Sequence, residues 1–128
     1  MSMNWTDGAP IYRQLREHIK AMILDGALKE GDALPSVRQV SADFQLNPIT
    51  VSKAYQELVD ESLVEKRRGL GMYVNEGARA QLLQSERERF IRDEWPPLRE
   101  RLRRLGLELK ELYNETGTEM DSTVESKN

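Results

Sequence analysis

The sequence predicts a mainly α-helical protein with one small β-hairpin, and three observations support this fold class. Through the first half of the chain, apolar side chains recur at spacings of three and four, which is typical of short amphipathic helices. The spacing then shortens around a Gly-Leu-Gly turn, which indicates a pair of strands. After this turn the chain is rich in Arg, Glu and Leu, and these residues favour further helix.

The first two helices are predicted from their starts and their apolar stripes. Pro10 stands at a favoured first helical position, and the apolar stripe that follows it ends near Gly26. Ser36 and Gln39 have the spacing of a capping box, which predicts that a second helix of about nine residues begins there.

The third helix begins at an Asn-Pro pair. Asn47 is a favoured N-cap and Pro48 is a favoured first-turn residue. Only three residues separate Phe44 from Pro48, so the second and third helices must meet at a tight turn. The side of the third helix opposite its apolar stripe carries Ile49, Ser52, Lys53, Gln56 and Asp60.

A short β-hairpin follows the third helix. The pattern predicts strands at Leu63–Arg67 and Met72–Val74, joined by a turn whose glycines permit positive φ. Lys66, Arg67 and Arg68 place positive charge on one side of this hairpin. Three short helices followed by a hairpin with a basic tip is the element order of a winged helix-turn-helix domain.

The C-terminal part is predicted to form a two-helix appendage that dimerises. The first of these helices should end at Pro96-Pro97. Leucines then step by four and three, which is the spacing of a seam that meets another helix. Gly106 inside this run costs about 1 kcal/mol relative to Ala, so a break or bend near it is expected. A homodimer is the simplest way to cover the seam, and the predicted contact residues are Leu82, Phe90, Trp95, Leu98, Leu102, Leu105, Leu109 and Leu112.

These patterns divide the chain into three parts. We assign residues 1–77 to the winged helix-turn-helix domain, 78–114 to the dimerisation domain and 115–128 to an acidic tail. The tail is rich in Ser and Thr and almost free of large apolar residues, so we expect it to be disordered.

The charge of the chain sets a condition on any nucleic-acid partner. The net charge is −3, and the three parts carry 9, 9 and 1 basic residues against 11, 7 and 4 acidic ones. Binding to phosphates normally leaves a basic footprint. A nucleic-acid surface on this chain must therefore be a local patch.

Length and composition limit the class of protein. A chain of 128 residues with 38% hydrophobic residues can bury one ordinary core but hardly two. The absence of cysteine fits a reducing cytosol. No apolar run approaches the ~20 residues that span a bilayer, and the first residues lack the basic and apolar regions of a secretion signal. We therefore expect a cytoplasmic protein without membrane contact.

The sequence offers no set of residues for catalysis. His18 is the only histidine, so no second imidazole or thiolate exists to join it in a metal or nucleophile site. Neighbouring acids such as Asp60 and Glu61 are typical of a solvated helix face. The Gly-Leu-Gly turn lacks the helix and the lysine of a phosphate-binding loop. We expect neither an enzyme nor a cofactor.

DNA binding has a physical mechanism in this sequence. The third helix fits a major groove, and its N-terminal end should bring unpaired N–H groups and a positive dipole to phosphates. Thr50 can donate its hydroxyl to a phosphate, and Ser52, Lys53 and Gln56 can reach base edges. Arg38, early in the second helix, is suited to a phosphate or a guanine.

A purely structural interpretation of the same residues stays open at the sequence level. Arg38 could pair with Asp43 or Glu57, and Lys53 could pair with Glu57 one helical turn away. Arg67 and Arg68 could be a plain solvated turn, although contact with a minor groove or phosphates is the stronger interpretation.

Residues 10–74 closely resemble the DNA-binding domain of the GntR family of bacterial transcription regulators. Three motifs carry the resemblance at these separations: G-x-L-x-x-G-x-x-L-P-S-x-R, then T-V-x-x-A-Y-x-E-L, then R-R-G-x-G-x-x-V. The Asn-Pro pair, the short helical tail and the closing LGLELKEL are similar to the YtrA subfamily. Members of that subfamily often regulate ABC-transporter operons.

The resemblance implies particular DNA contacts. Carried over residue by residue, they fall on Arg38, Asn47, Thr50, Ser52 and Gly69. The family often has Arg where Pro48 and Ser52 stand, so Lys53 would have to compensate. Gln45 replaces a common Gly, at a cost of roughly 1–2 kcal/mol if its backbone is left-handed. Leu70 stands where the hairpin often has Lys.

The resemblance implies a homodimeric repressor that binds an inverted-repeat operator. About 37 residues of appendage leave little volume for an enclosed effector pocket of ~300 Å³, and the sequence predicts no particular effector. An alternative from another class is a winged-helix module that binds proteins without specific DNA binding, which the acidic balance and the missing arginines favour.

Overall fold

The structure, a computed structural model, describes residues 5–116 in two compact units that divide after Ser85. Residues 117–128, most of the predicted tail, lie outside the described residues. None of the described helices is both long enough and apolar enough to cross a lipid bilayer. The predicted fold class, mainly α with one hairpin, is confirmed.

Unit 1 contains the winged helix-turn-helix domain. Its helices are α1 (Ile11–Asp25), α2 (Val37–Phe44) and α3 (Pro48–Asp60), and its hairpin consists of β1 (Val64–Arg67) and β2 (Gly71–Val74). Helix α4 (Ala78–Arg89) begins in this unit. Unit 2 continues through a π-helical turn (Phe90–Glu94) into α5 (Trp95–Leu105) and α6 (Leu109–Thr116).

Side-chain caps fix where α2 and α3 begin. The Ser36 hydroxyl accepts a hydrogen bond from the Gln39 N–H at 3.0 Å, and the Asn47 side chain caps α3 in the same manner. Both starts were predicted from the sequence and are confirmed. Between the two helices, Gln45 has φ 54° and ψ 48°. This left-handed conformation costs a residue with a β-carbon roughly 1–2 kcal/mol, so Gln45 lowers the stability of the folded domain.

Helix α3 is held from its inner face. Val51, Ala54, Tyr55 and Leu58 are buried there, in a core that they share with the inner face of α1. The Tyr55 hydroxyl donates to the Pro35 carbonyl at 2.7 Å. Burial raises the pKa of the Tyr55 phenol above its ordinary value. The outer face of α3 is therefore presented by a helix with a fixed orientation in unit 1.

Ion pairs join α3 to α1 along one edge. Arg16 pairs with Glu57, and the Lys20 ammonium lies 2.7 Å from a Glu61 carboxylate oxygen. Both acids lie at the C-terminal end of α3, where their charge is matched by α1. The N-terminal half of α3 carries no acidic residue.

The hairpin is anchored to the domain through β2. Its antiparallel register pairs Val64 with Val74 and Arg67 with Gly71, so β1 starts one residue later, and β2 one residue earlier, than predicted. On the other side of β2, the Leu34 N–H donates to the Met72 carbonyl at 2.8 Å. Because β2 is hydrogen-bonded on both sides, the hairpin tip projects from a fixed base.

The C-terminal helices differ from the sequence expectation at the first of the two predicted interruptions and agree with it at the second. Pro96-Pro97 does not break the helix: Glu94 and Trp95 keep right-handed helical torsions. The preceding turn is π-helical instead, with the Trp95 N–H bonded to the Phe90 carbonyl, and the prolines then occupy the first turn of α5, where missing N–H groups are tolerated. The chain does stop being helical at Gly106, which has φ 67° and ends α5. The leucine run is thus divided between two helices.

Candidate nucleic-acid interface

The outer face of α3 is polar and largely free of internal contacts. Ser52, Lys53 and Gln56 are exposed there, and Thr50 is half-buried. No hydrogen bond of the Ser52 or Thr50 hydroxyl to another side chain or to the backbone occurs within residues 5–114. These groups are available to an external partner.

The N-terminal end of α3 uses its own N–H groups internally. Pro48 has none, the Ile49 N–H donates to the Asn47 side-chain oxygen at 2.9 Å, and the Thr50 N–H donates to the Asn47 carbonyl at 2.9 Å. The expectation that unpaired N–H groups would face phosphates here is therefore wrong. The positive end of the helix dipole remains, and the Asn47 side-chain amide still has its NH2 group to donate.

Arg38 lies exposed in the first turn of α2. Within the described part of the chain it forms no ion pair with Asp43 or Glu57, the two structural partners considered from the sequence. Glu57 binds Arg16 instead. The guanidinium of Arg38 therefore keeps its five N–H donors for another molecule.

Lys53 is held by an aromatic ring that the sequence did not reveal. Its ammonium nitrogen lies 4.1 Å from the centre of the Tyr12 ring in α1, which is a favourable cation–π distance. The predicted alternative, a pair with Glu57, does not form among the described residues. Gln56 is partly engaged, since its amide donates to Asp60 at 3.0 Å.

The hairpin tip carries two arginines in different states. The Arg67 guanidinium lies over the Tyr73 ring at 4.2 Å and binds Glu65 at 2.8 Å. Arg68 is exposed and forms no ion pair within residues 5–116. Gly69 has φ 76° and completes the turn, and Leu70 beside it is exposed. Arg67 is therefore oriented by its neighbours, whereas Arg68 has no such contact within residues 5–116.

The predicted dimerisation residues fall into two groups. Leu82 is only 3% exposed and belongs to the core of unit 1. Its assignment to a dimer contact is therefore corrected, because this side chain packs inside its own chain. The others lie in unit 2. Trp95, Leu102 and Leu112 are half-buried, and the exposed members are Phe90, Leu98, Leu105 and Leu109.

An open cleft lies between α5 and α6 in unit 2. Its volume is about 510 Å³. Trp95, Leu102, Leu107 and Leu109 provide its apolar lining, and Arg99 is among the charged residues beside them. The uncovered leucines next to this cleft form an apolar surface on a short helical unit.

Comparison with known proteins places the chain in a family. The family model for bacterial regulatory proteins of the gntR family matches residues 11–74. The transcriptional repressor YtrA of Bacillus subtilis is 38% identical over 104 residues, which cover 81% of this chain and 79% of that protein.

Two solved structures extend the likeness beyond the winged helix. A transcriptional regulator from Oenococcus oeni superposes with a TM-score of 0.71 at 30% identity, over 89% of this chain and 96% of that one. YtrA from Sulfolobus acidocaldarius, a GntR-family transcription factor, superposes with a TM-score of 0.56 at 28% identity, over 80% and 95%. The chain therefore belongs to the GntR family of bacterial regulatory proteins and to its YtrA subfamily, and it is a DNA-binding transcriptional regulator.

Proposed function

We propose that the protein is a homodimeric repressor that binds an inverted-repeat operator, with α3 in the major groove and the hairpin on the flanking backbone. One observation carries the proposal. The outer face of α3 and the start of α2 present donors that neither the core nor an ion pair uses among the described residues. The name of the Bacillus subtilis relative, a repressor, supports repression.

Each proposed DNA contact has a role that fits its chemistry. Arg38 binds a guanine or a phosphate, and Asn47 and Thr50 donate to phosphates at the start of α3. Pro48 shapes this turn by removing an N–H.

The base edges are read by Ser52, Lys53 and Gln56, and the hairpin contacts are made by Arg67, Arg68 and Gly69.

The dimer is proposed to form through the C-terminal domain, residues 78–114 without Leu82. Exposed apolar side chains on so short a unit are best covered by a second copy, because a symmetric pair covers the same surface on both chains. Two symmetry-related α3 helices then require an inverted repeat. The resemblance to the YtrA subfamily suggests an ABC-transporter operon as the target, and such a regulator would act in the cytoplasm.

A salt titration on selected DNA tests this function. Duplexes are first selected from a random pool with the purified protein, and their affinity is then measured at several salt concentrations. Counterion release from about four to eight phosphate contacts per dimer predicts a slope of log K against log salt of roughly −4 to −7. The second candidate function is a protein-interaction module, which the net charge of −3 favours. A flat slope, or a pool that remains random in sequence after selection, would support this second function.

Asn47 variants should separate helix capping from DNA contact. In Asn47→Asp the carboxylate still caps the Ile49 N–H, so we expect thermal stability equal to or above that of the wild type. The variant loses the NH2 donor and adds a negative charge beside a phosphate in both subunits. Operator affinity should fall at least about tenfold by gel shift at fixed salt.

Asn47→Ala is the matched control. It removes the cap as well as the donor, so it should lose both affinity and about 1 kcal/mol of stability. An Asn47→Asp variant that binds the operator as tightly as the wild type would remove Asn47 from the proposed contacts.

A further inference from the structure

Ile49 is an apolar side chain at the N-terminal end of the polar outer face of α3. It is 76% exposed, the largest exposed fraction among the exposed large hydrophobic residues within residues 5–114. It therefore contributes almost nothing to the core that holds α3. Nothing in the packing of residues 5–85 requires an isoleucine at this position.

The position of Ile49 is continuous with the proposed reading face. Ser52, Lys53 and Gln56 follow it at three, four and seven residues, so all four side chains share the outer side of the helix. Ile49 extends this face toward the N-terminal end of α3. In groove-binding helices of this class, the N-terminal residues are the ones that contact base edges.

The side chain is also held in a defined direction. Its backbone N–H donates to the Asn47 side-chain oxygen at 2.9 Å, which fixes the first turn of α3. A β-branched side chain in a helix has one strongly preferred χ1 rotamer. Ile49 thus presents its apolar surface with little conformational freedom to lose on binding.

We propose that Ile49 reads a thymine in each half-site by packing against its C5-methyl group. This rests on the proposed function, in which α3 enters the major groove. The thymine methyl is the apolar group that unmodified base pairs display on the major-groove side. The neighbouring hydroxyl, ammonium and amide groups of α3 can satisfy the polar base edges, so an exposed isoleucine among them matches this methyl group.

Replacing thymine by deoxyuridine tests the contact, because it removes only the methyl group and keeps the pairing edge. Each thymine of a selected operator is replaced in turn, at symmetric positions in both half-sites. At one position the wild type should lose about three- to tenfold in affinity. Ile49→Ala should lose a similar factor on the thymine operator and show no further loss on the deoxyuridine one.

Two control variants sharpen the result. Ile49→Val keeps a branched apolar side chain and should keep the sensitivity to deoxyuridine at the same position. Leu70→Ala removes another exposed apolar side chain, outside α3, and should leave that sensitivity unchanged. Because Ile49 lies outside the core, the melting temperatures of both Ile49 variants should match the wild type.

Three outcomes would overturn the inference. The first is an Ile49→Ala variant that binds the thymine operator like the wild type. The second is an Ile49→Ala variant that keeps the full wild-type sensitivity to deoxyuridine at every thymine, and the third is a wild type that is insensitive to every deoxyuridine replacement. Each would contradict the thymine contact and leave specific DNA binding intact. A wild type that selects no preferred duplex would instead overturn the proposed function, and the thymine contact with it.

Discussion

Replacing Arg38 by alanine is expected to weaken operator binding by at least about 30-fold. A contact from arginine to a guanine or a phosphate contributes about 1–3 kcal/mol, and a dimer loses two of them. The side chain is exposed and forms no ion pair within the described residues, so its loss should leave the thermal midpoint unchanged. The measurement is a gel-shift titration at fixed salt alongside a melting curve.

Lys29→Ala is the control for the change in charge. Lys29 is also exposed and lies in the loop after α1, outside α2, α3, the hairpin and the proposed dimerisation domain. It should retain wild-type affinity for the operator. If Arg38→Ala bound as tightly as the Lys29 control, Arg38 would not be a DNA contact.

The double substitution Leu105→Asp with Leu109→Asp is expected to yield a monomer. Both leucines are 59% exposed, so the monomer should tolerate the change. A dimer interface would have to bury four added carboxylates, each at a cost of several kcal/mol. Light scattering should therefore report the mass of one chain. Operator affinity should fall by about 100-fold or more, because the two half-sites are no longer bound by linked subunits.

Leu70→Asp provides the control for a surface leucine replaced by aspartate. Leu70 is exposed on the hairpin of unit 1, so this variant should remain dimeric. A dimer that persists in the double variant would show that subunits associate through another surface.

Local rules predicted much of the fold, because the residues that decide it are close together in the chain. The caps at Ser36 and Asn47 act over two or three residues, and the inner and outer faces of α3 follow from helical spacing alone. The left-handed backbone of Gln45 follows from the short distance between two helices. Each of these features needs only a short window of sequence.

The features that the sequence did not predict depend on contacts between distant residues. Lys53 meets Tyr12 across two helices, and no spacing rule links residues so far apart. Leu82 has the same pattern as a dimerisation residue, but the core of unit 1 covers it. The uninterrupted helical torsions before Pro96 depend on a π-helical turn, which no short sequence pattern specifies.

The N-terminal end of α3 shows how one local rule can mislead about function. A helix start normally offers free N–H groups to an anion. In this chain the same Asn47 and Pro48 that start the helix also use or remove those groups. The proposed contacts at this end must therefore come from side chains.

A dimeric repressor of this kind must place its two α3 helices on one duplex at a fixed separation. The most direct test measures affinity for inverted repeats that differ only in the spacing of their half-sites. We expect one optimum, with half-site centres about one or two helical turns apart, and a loss of about 100-fold when five base pairs are inserted. Equal affinity at every spacing, or equal affinity for a single half-site, would contradict it.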